Sequence, residues 1–101
     1  MLKSYLQTMK IKVYYRSSLS LSEGKLAAQV GHVVRNLAII HGSYVASKCD
    51  KIIVLHASDT KYNKLLTDVE SKCKIYRQID KGYTEVPDGT ETCFGYVEFE
   101  G

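Results

Sequence analysis

The side chains that could do chemistry in this sequence fall into two short stretches. In the first, Lys25, Gln29, His32 and Asn36 recur at i, i+4, i+7 and i+11, the spacing of one narrow polar line along a helix. Burying Lys25 without a partner would be costly, so the line must face solvent, a cleft or a ligand. Lys25 also follows Gly24 in what would be the first helical turn, where free backbone amides and the positive end of the helix dipole favour an anion. A phosphate or a developing oxyanion suits that place. The full G-x-x-x-x-G-K-[ST] phosphate loop is absent, since Leu26 stands where Ser or Thr is needed, and this excludes a P-loop nucleoside triphosphatase. The competing reading of the line is a solvated seam on a helix otherwise packed against its neighbours.

The second stretch runs D-K-G-Y-T-E-V-P-D-G-T-E-T from Asp80 to Thr92, with glycines at 82 and 89 and hydroxyls at Thr84, Thr90 and Thr92. Asp80 closes a predicted strand, and polar groups at the strand ends of α/β sheets commonly face the ligand crevice, so Asp80 is a candidate base. Asp-Lys-Gly and Pro-Asp-Gly are equally good turn sequences, in which the threonines would satisfy loop carbonyls. His41 and His56 read as a helix-end and a strand residue without a role.

The elements that must position these residues follow from hydrophobic periodicity. Residues 10 to 16, 51 to 57, 74 to 79 and 92 to 99 are short runs rich in β-branched and aromatic side chains and predict strands. Leu21 to His41 predicts a long helix, opened by Ser20 and Glu23 in capping-box spacing and closed near Gly42. Leu26, Val30, Val33, Leu37 and Ile40 form one apolar stripe on it, with Ala27, Gly31, Val34 and Ala38 on the next face round, so most of its circumference is built for burial. A short helical piece is expected over Ser43 to Lys48. Residues 60 to 72 place Tyr62, Leu65, Leu66, Val69 and Cys73 on one stripe, with Asp59 as the expected cap. The order β-α-(α)-β-α-β-β predicts a single α/β domain with a mixed four-stranded β-sheet and helices packed on it.

At 101 residues the chain suits one domain with one modest core, residues 10–101, preceded by a short extension over residues 1–9. Its 45% hydrophobic and 25% charged content is that of a globular protein, and no apolar run approaches the ~20 residues of a membrane-spanning helix. Cys49, Cys73 and Cys93 are odd in number and widely spaced, which argues for reduced cytosolic thiols over a disulfide framework or zinc knuckle. Glu91, Glu98 and Glu100 lie beyond the last basic residue, Lys81, so the net charge of +3 rises to +6 over residues 1–90. That field suits a polyanionic partner, as it also suits a merely solvated basic face.

The two stretches, in this order, resemble the type 2 peptidyl-tRNA hydrolase family. That family opens with a strand ending in arginine, here Arg16, then a helix beginning G-K-x-A-A-Q-x-x-H, here Gly24-Lys25-Leu26-Ala27-Ala28-Gln29-Val30-Gly31-His32. Its second hallmark is D-x-G-x-T, then P-G-T-x-T and the final strand; here Asp80, Gly82, Thr84, Gly89, Thr90 and Thr92 match it. The likeness spans residues 10 to 98. Asp88 stands where the family usually has proline, with Pro87 displaced by one, and Gly31-His32-Val33-Val34 replaces a version richer in small residues. The sequence ends at Gly101, where the family carries a closing segment.

The resemblance implies hydrolysis of the ester between a peptide's C-terminal carbonyl and the terminal ribose of tRNA. It implies peptidyl-tRNA as the nucleic-acid partner, a cytoplasmic location, and neither membrane, metal nor organic cofactor; a homodimer is left open. Lys25, Asp80, Thr84 and Thr92 become the catalytic set, with Asp80 acting on water, Lys25 stabilising the oxyanion or a phosphate, and the threonines positioning water and substrate. Arg16, Gln29, His32 and Thr90 become substrate-binding residues. A noncatalytic tRNA- or protein-binding member of the same fold, or an esterase for another acylated substrate, are the alternatives, and the sequence does not fix which group is the base.

Overall fold

The computed structural model describes residues 8–81, 86, 87 and 89–100. Strand β1 (Thr8–Arg16) leads through a 3-10 turn at Ser17–Leu19 into helix α1 (Glu23–His41) and the short α2 (Ser43–Lys48). Strand β2 (Cys49–Ala57), helix α3 (Asp59–Glu70), and strands β3 (Ile75–Ile79) and β4 (Glu91–Glu100) complete the domain. The sheet order is β2-β1-β4-β3. The helical crossover makes β1 and β2 parallel, whereas β4 runs antiparallel to both β1 and β3. This is the expected α/β domain with a mixed four-stranded sheet. No helix among the described residues is long and apolar enough to cross a membrane.

Element boundaries depart from the sequence reading at three places, each for a local reason. Met9 is a buried core residue inside β1, so the strand starts within the stretch assigned to the extension. Ser22, not Ser20, caps α1: its hydroxyl accepts from the Lys25 amide at 3.2 Å, while Ser20 adopts a left-handed conformation (φ 50°) that ends the 3-10 turn. Ser58, not Asp59, caps α3 by accepting from the Lys61 amide at 3.3 Å. At the far end of α1, Gly42 (φ 87°) turns the chain, its amide donating to the Ala38 carbonyl at 2.8 Å.

The sheet separates two cores. Met9, Ile11, Val13, Cys93 and Val97 point to the α1 side and meet Val33 and Leu37. Phe94 and Tyr96 point the other way and meet Tyr62, Leu66 and Val69 of α3, with Phe94 edge-on to Tyr62 at 5.1 Å. Helix α1 crosses β4 at Gly95: a Cβ there would lie 2.4 Å from Val33 Cγ1 and 3.0 Å from the Lys12 carbonyl oxygen. That close approach seats the helix. Because Gln29 and Lys25 precede Val33 by one and two steps of four, the same row that packs the core carries them out over the ends of β3 and β4.

Seated there, α1 leaves the near face of β2 uncovered. Ile52 and Val54 are 52% and 39% exposed. With Leu26, Ala27, Val30, Gly31 and Val34 they line an open apolar groove of about 640 Å³. The expectation that most of the α1 circumference is buried is therefore corrected: Ala27 and Gly31 face the groove and are exposed, since the helix packs over β4 and β3 and not over β2.

Candidate active site

On the opposite flank of α1 a cleft of about 440 Å³ opens between the helix and the C-terminal end of β3. Lys25, Gln29, His32 and Asn36 all line it, so the polar line found in the sequence faces a cleft. Its members differ in depth. Lys25 and Asp80 meet within it, Nζ to Oδ1 at 2.6 Å, with side chains only 11% and 7% exposed. Gln29, itself buried, donates from Nε2 to the same Asp80 oxygen at 3.4 Å and accepts at Oε1 from the Thr92 hydroxyl at 3.2 Å. This amide orientation is the one that satisfies both ends; turned over, its carbonyl would oppose a carboxylate oxygen, two acceptors in contact. The Gln78 carbonyl lies 3.4 Å from the same hydroxyl as a further acceptor.

Asp80 is held from its backbone as well. Its amide donates to the Thr90 carbonyl at 2.8 Å, and its carbonyl accepts from the Gly89 amide at 2.8 Å, where Gly89 has φ 85°. The Thr90 hydroxyl donates to the Pro87 carbonyl at 2.7 Å, so Thr90 fastens the loop on which Asp80 rests. The turn chemistry read in this stretch is thus present, and it leaves the Asp80 carboxylate facing the cleft. Thr84, expected in the catalytic set, lies outside the described residues, as do Gly82 and Asp88.

Thr92, itself fully buried, reaches Gln29 beneath the cleft through a β-bulge. Gln78 pairs with Cys93 and Ile79 with Glu91, which leaves Thr92 as the extra residue of β4. Simple alternation with Cys93 would turn Thr92 toward α3; the bulge turns it toward Gln29 and sends Glu91 to the reverse face. There Glu91 accepts from the Tyr62 hydroxyl at 2.6 Å and from Arg77 Nε at 2.8 Å. Burial and the neighbouring Glu91 carboxylate push the Tyr62 phenol well above its ordinary range, so it stays a donor.

Arg16 stands on that reverse face and not in the Lys25–Asp80 cleft. Its guanidinium lies 3.9 Å over the Tyr62 ring, bonds Asp59 and Asn63 at 3.1 and 3.2 Å, and donates from Nε to the Glu91 carbonyl at 3.1 Å. Hydrogen bonds from Ser18 and Arg16 hold the Asp59 carboxyl below its usual range. His32 is exposed on the cleft rim.

Sequence reasoning missed Arg35, Lys81, Tyr76 and Gln78 among the cleft residues. Arg35 follows His32 by three residues and was legible on the same helical line; Tyr76 and Gln78 needed only the strand parity that ends at Asp80. With Lys25, Arg35 and Lys81 against Asp80 the lining is cationic, and Arg35 and Lys81 have no acidic partner among the described residues. The charge asymmetry along the sequence, by contrast, is partly offset in space: Glu98 pairs with Lys10 and Lys12 at 3.2 and 3.3 Å, and Glu91 with Arg77 at 2.6 Å.

A buried ammonium–carboxylate pair beside a hydroxyl and an amide, at the wall of a cationic cleft, is equipped for acyl transfer from an anionic substrate. Comparison with known proteins points the same way. The family model described as "Peptidyl-tRNA hydrolase PTH2" matches residues 9–97. A protein of Thermoplasma volcanium named peptidyl-tRNA hydrolase is 32% identical, covering 86% of this chain and 82% of its own. One of the same name from Methanothermobacter thermautotrophicus is 34% identical, covering 86% and 83%. With the family pattern running from the buried Met9 of β1 to Val97 of β4, the chain belongs to the peptidyl-tRNA hydrolase PTH2 family.

Proposed function

We propose that this domain hydrolyses the ester joining a peptide to the 3′ end of tRNA, releasing free tRNA and a peptide acid. The observation that carries the reading is the Lys25–Asp80 pair, buried at the wall of the cleft and braced by Gln29 and Thr92. Water attacks the ester carbonyl carbon, an oxyanion forms, and the bond to the ribose oxygen breaks as that oxygen takes up a proton. Asp80 orients the water and accepts its proton. An ammonium has three donors, of which Asp80 takes one from Lys25; the others serve the oxyanion. Thr84 positions water and substrate, Thr92, fully buried, acts through Gln29 by holding it on Asp80, and His32, Arg35 and Lys81 at the rim meet the phosphates of the tRNA end. This scheme uses no metal or organic cofactor, and a substrate that arises in translation supports a cytoplasmic location.

The test is turnover of a blocked aminoacyl-tRNA beside an acylated mimic of its terminal nucleotides. Cleavage with kcat/KM much higher for the full tRNA is the expected result. Equal kcat/KM on both would make the domain a general esterase, and tight tRNA binding without turnover would make it a noncatalytic member of the fold.

A further inference from the structure

The reverse face of the sheet holds a charged cluster that the proposed chemistry does not use. Glu91 is held at both carboxylate oxygens and at its carbonyl. Arg77 grips one carboxylate oxygen, Oε1, from both Nε at 2.8 Å and Nη2 at 2.6 Å, and the Tyr62 hydroxyl donates to the other, Oε2, at 2.6 Å. Arg16 holds its carbonyl and closes over the Tyr62 ring. The Glu91 side chain is 11% exposed, and Tyr62 is fully buried. So thoroughly tied an acid at the mouth of a strand invites the question of what it holds in place.

The answer lies in the adjacent residue. A bulge adds one residue to a strand and re-aims the side chains around it, and a ladder can shed it by a one-residue slip that reverses every facing beyond it. At the start of β4 such a slip would take Thr92 off Gln29 and turn Glu91 toward it instead. The slipped arrangement would place a carboxylate beside Gln29 and Asp80, and would leave the buried Tyr62 hydroxyl without its acceptor. We propose that Glu91, clamped by Tyr62, Arg77 and Arg16, is a positioning residue that locks the β4 bulge and so keeps Thr92 on Gln29 and Gln29 on Asp80. Its role in hydrolysis rests on the function proposed above; its role in the bulge does not. The chain of contact runs from the aromatic face through the sheet, Tyr62 to Glu91, along the backbone to Thr92, and on through Gln29 to the Asp80 carboxylate.

Three variants test this. Glu91→Ala removes the clamp, Glu91→Gln keeps acceptor and shape for Tyr62 without the charge, and Leu66→Ala removes packing from the same reverse-face core without touching Glu91. The first readout is the nuclear Overhauser contact between the Thr92 methyl and the Gln29 side-chain amide. It is expected to vanish in Glu91→Ala, to return in large part in Glu91→Gln, and to persist in Leu66→Ala. The second is kinetics on a blocked aminoacyl-tRNA at a temperature where all variants are folded. Glu91→Ala should lose about tenfold to a hundredfold in kcat with KM held, the scale of a small misplacement of catalytic groups, and Leu66→Ala should keep kcat within a factor of about two. A Thr92–Gln29 contact that survives Glu91→Ala overturns the bulge lock. A lost contact with unchanged kcat overturns the link to hydrolysis. If the unaltered protein turns over no substrate, the functional proposal fails, and the magnetic-resonance result alone decides the lock.

Discussion

The two flanks of α1 open onto two cavities that differ in the wrong order for their size. The apolar groove against β2 is the larger, about 640 Å³, and has charge only at Glu23 and Arg35. The cleft against β3 is about 440 Å³ and is walled by the ammonium, carboxylate and amide of Lys25, Asp80 and Gln29, which the buried Thr92 hydroxyl braces from beneath in a chain of hydrogen bonds. Volume measures how well a surface is covered, and α1 leaves the groove open merely because it seats on Gly95, one strand beyond β1 from the sheet edge. Reactivity needs polar groups removed from water yet mutually satisfied, which only the cleft supplies.

If that contrast is right, substitutions on the cleft flank are felt as rate and those on the groove flank are not. The largest effect is expected at Asp80. Asp80→Asn keeps the shape and removes the charge, and turnover of a blocked aminoacyl-tRNA should fall by ~10² to 10⁴ with the circular dichroism spectrum unchanged. Equal turnover would take Asp80 out of the chemistry. Lys25→Met removes the proposed oxyanion donor, and a loss of ~10² to 10³ is expected, larger than any accompanying change in melting would explain. Because the two residues share one contact at 2.6 Å, the double variant should lose much less than the product of the single losses; multiplicative losses would mean that the pair does not act as a unit.

A smaller effect separates the rim from the floor. Arg35 and Lys81 reach solvent at the cleft mouth, where phosphate contacts are weakened by salt. KM for the full tRNA should rise several-fold between ~50 and ~200 mM salt with kcat nearly constant, and Arg35→Ala should flatten the log–log slope by about one. A short acylated mimic should respond much less. Identical salt responses of tRNA and mimic would show that the rim does not hold the tRNA body.

Much of this was legible in the residues themselves. Alternating strand and helix patterns fixed the element order and the mixed sheet, and the i, i+4 row of α1 joined Lys25 and Gln29 before any contact was known. What stayed hidden required two distant segments to meet. Strand parity alone assigns Thr92 to the face opposite Cys93, and only the pairing of β3 with β4 reveals the bulge that reverses it. Arg16 ends its strand as the family pattern has it and so reads as a substrate-binding residue, but Asp59, Asn63 and the Tyr62 ring arrive from α3 to claim it. The basic excess over residues 1–90 is reduced for the same reason, since β4 carries Glu98 back beside Lys10 and Lys12. Periodicity reports what one element buries; it is silent on which partner another element brings.

The smallest expected effect is the sharpest check on the contrast between the two flanks. Ile52 lies on the edge strand β2, half-exposed, at the floor of the groove. Ile52→Thr keeps a β-branched side chain suited to a strand and replaces apolar surface with a hydroxyl that water can satisfy, so the change in stability should lie within about 0.5 kcal/mol. Lys25, Gln29 and Asp80 are reached from the other side of α1, and Val33 on Gly95 fixes that helix regardless of what fills the groove. Turnover and KM on blocked aminoacyl-tRNA should therefore stay within a factor of about two of the unaltered protein, on the additivity expected of sites without shared partners. A loss confined to substrates with bulky apolar peptides would show instead that the groove receives the peptide, and the two flanks of α1 would then be halves of one site.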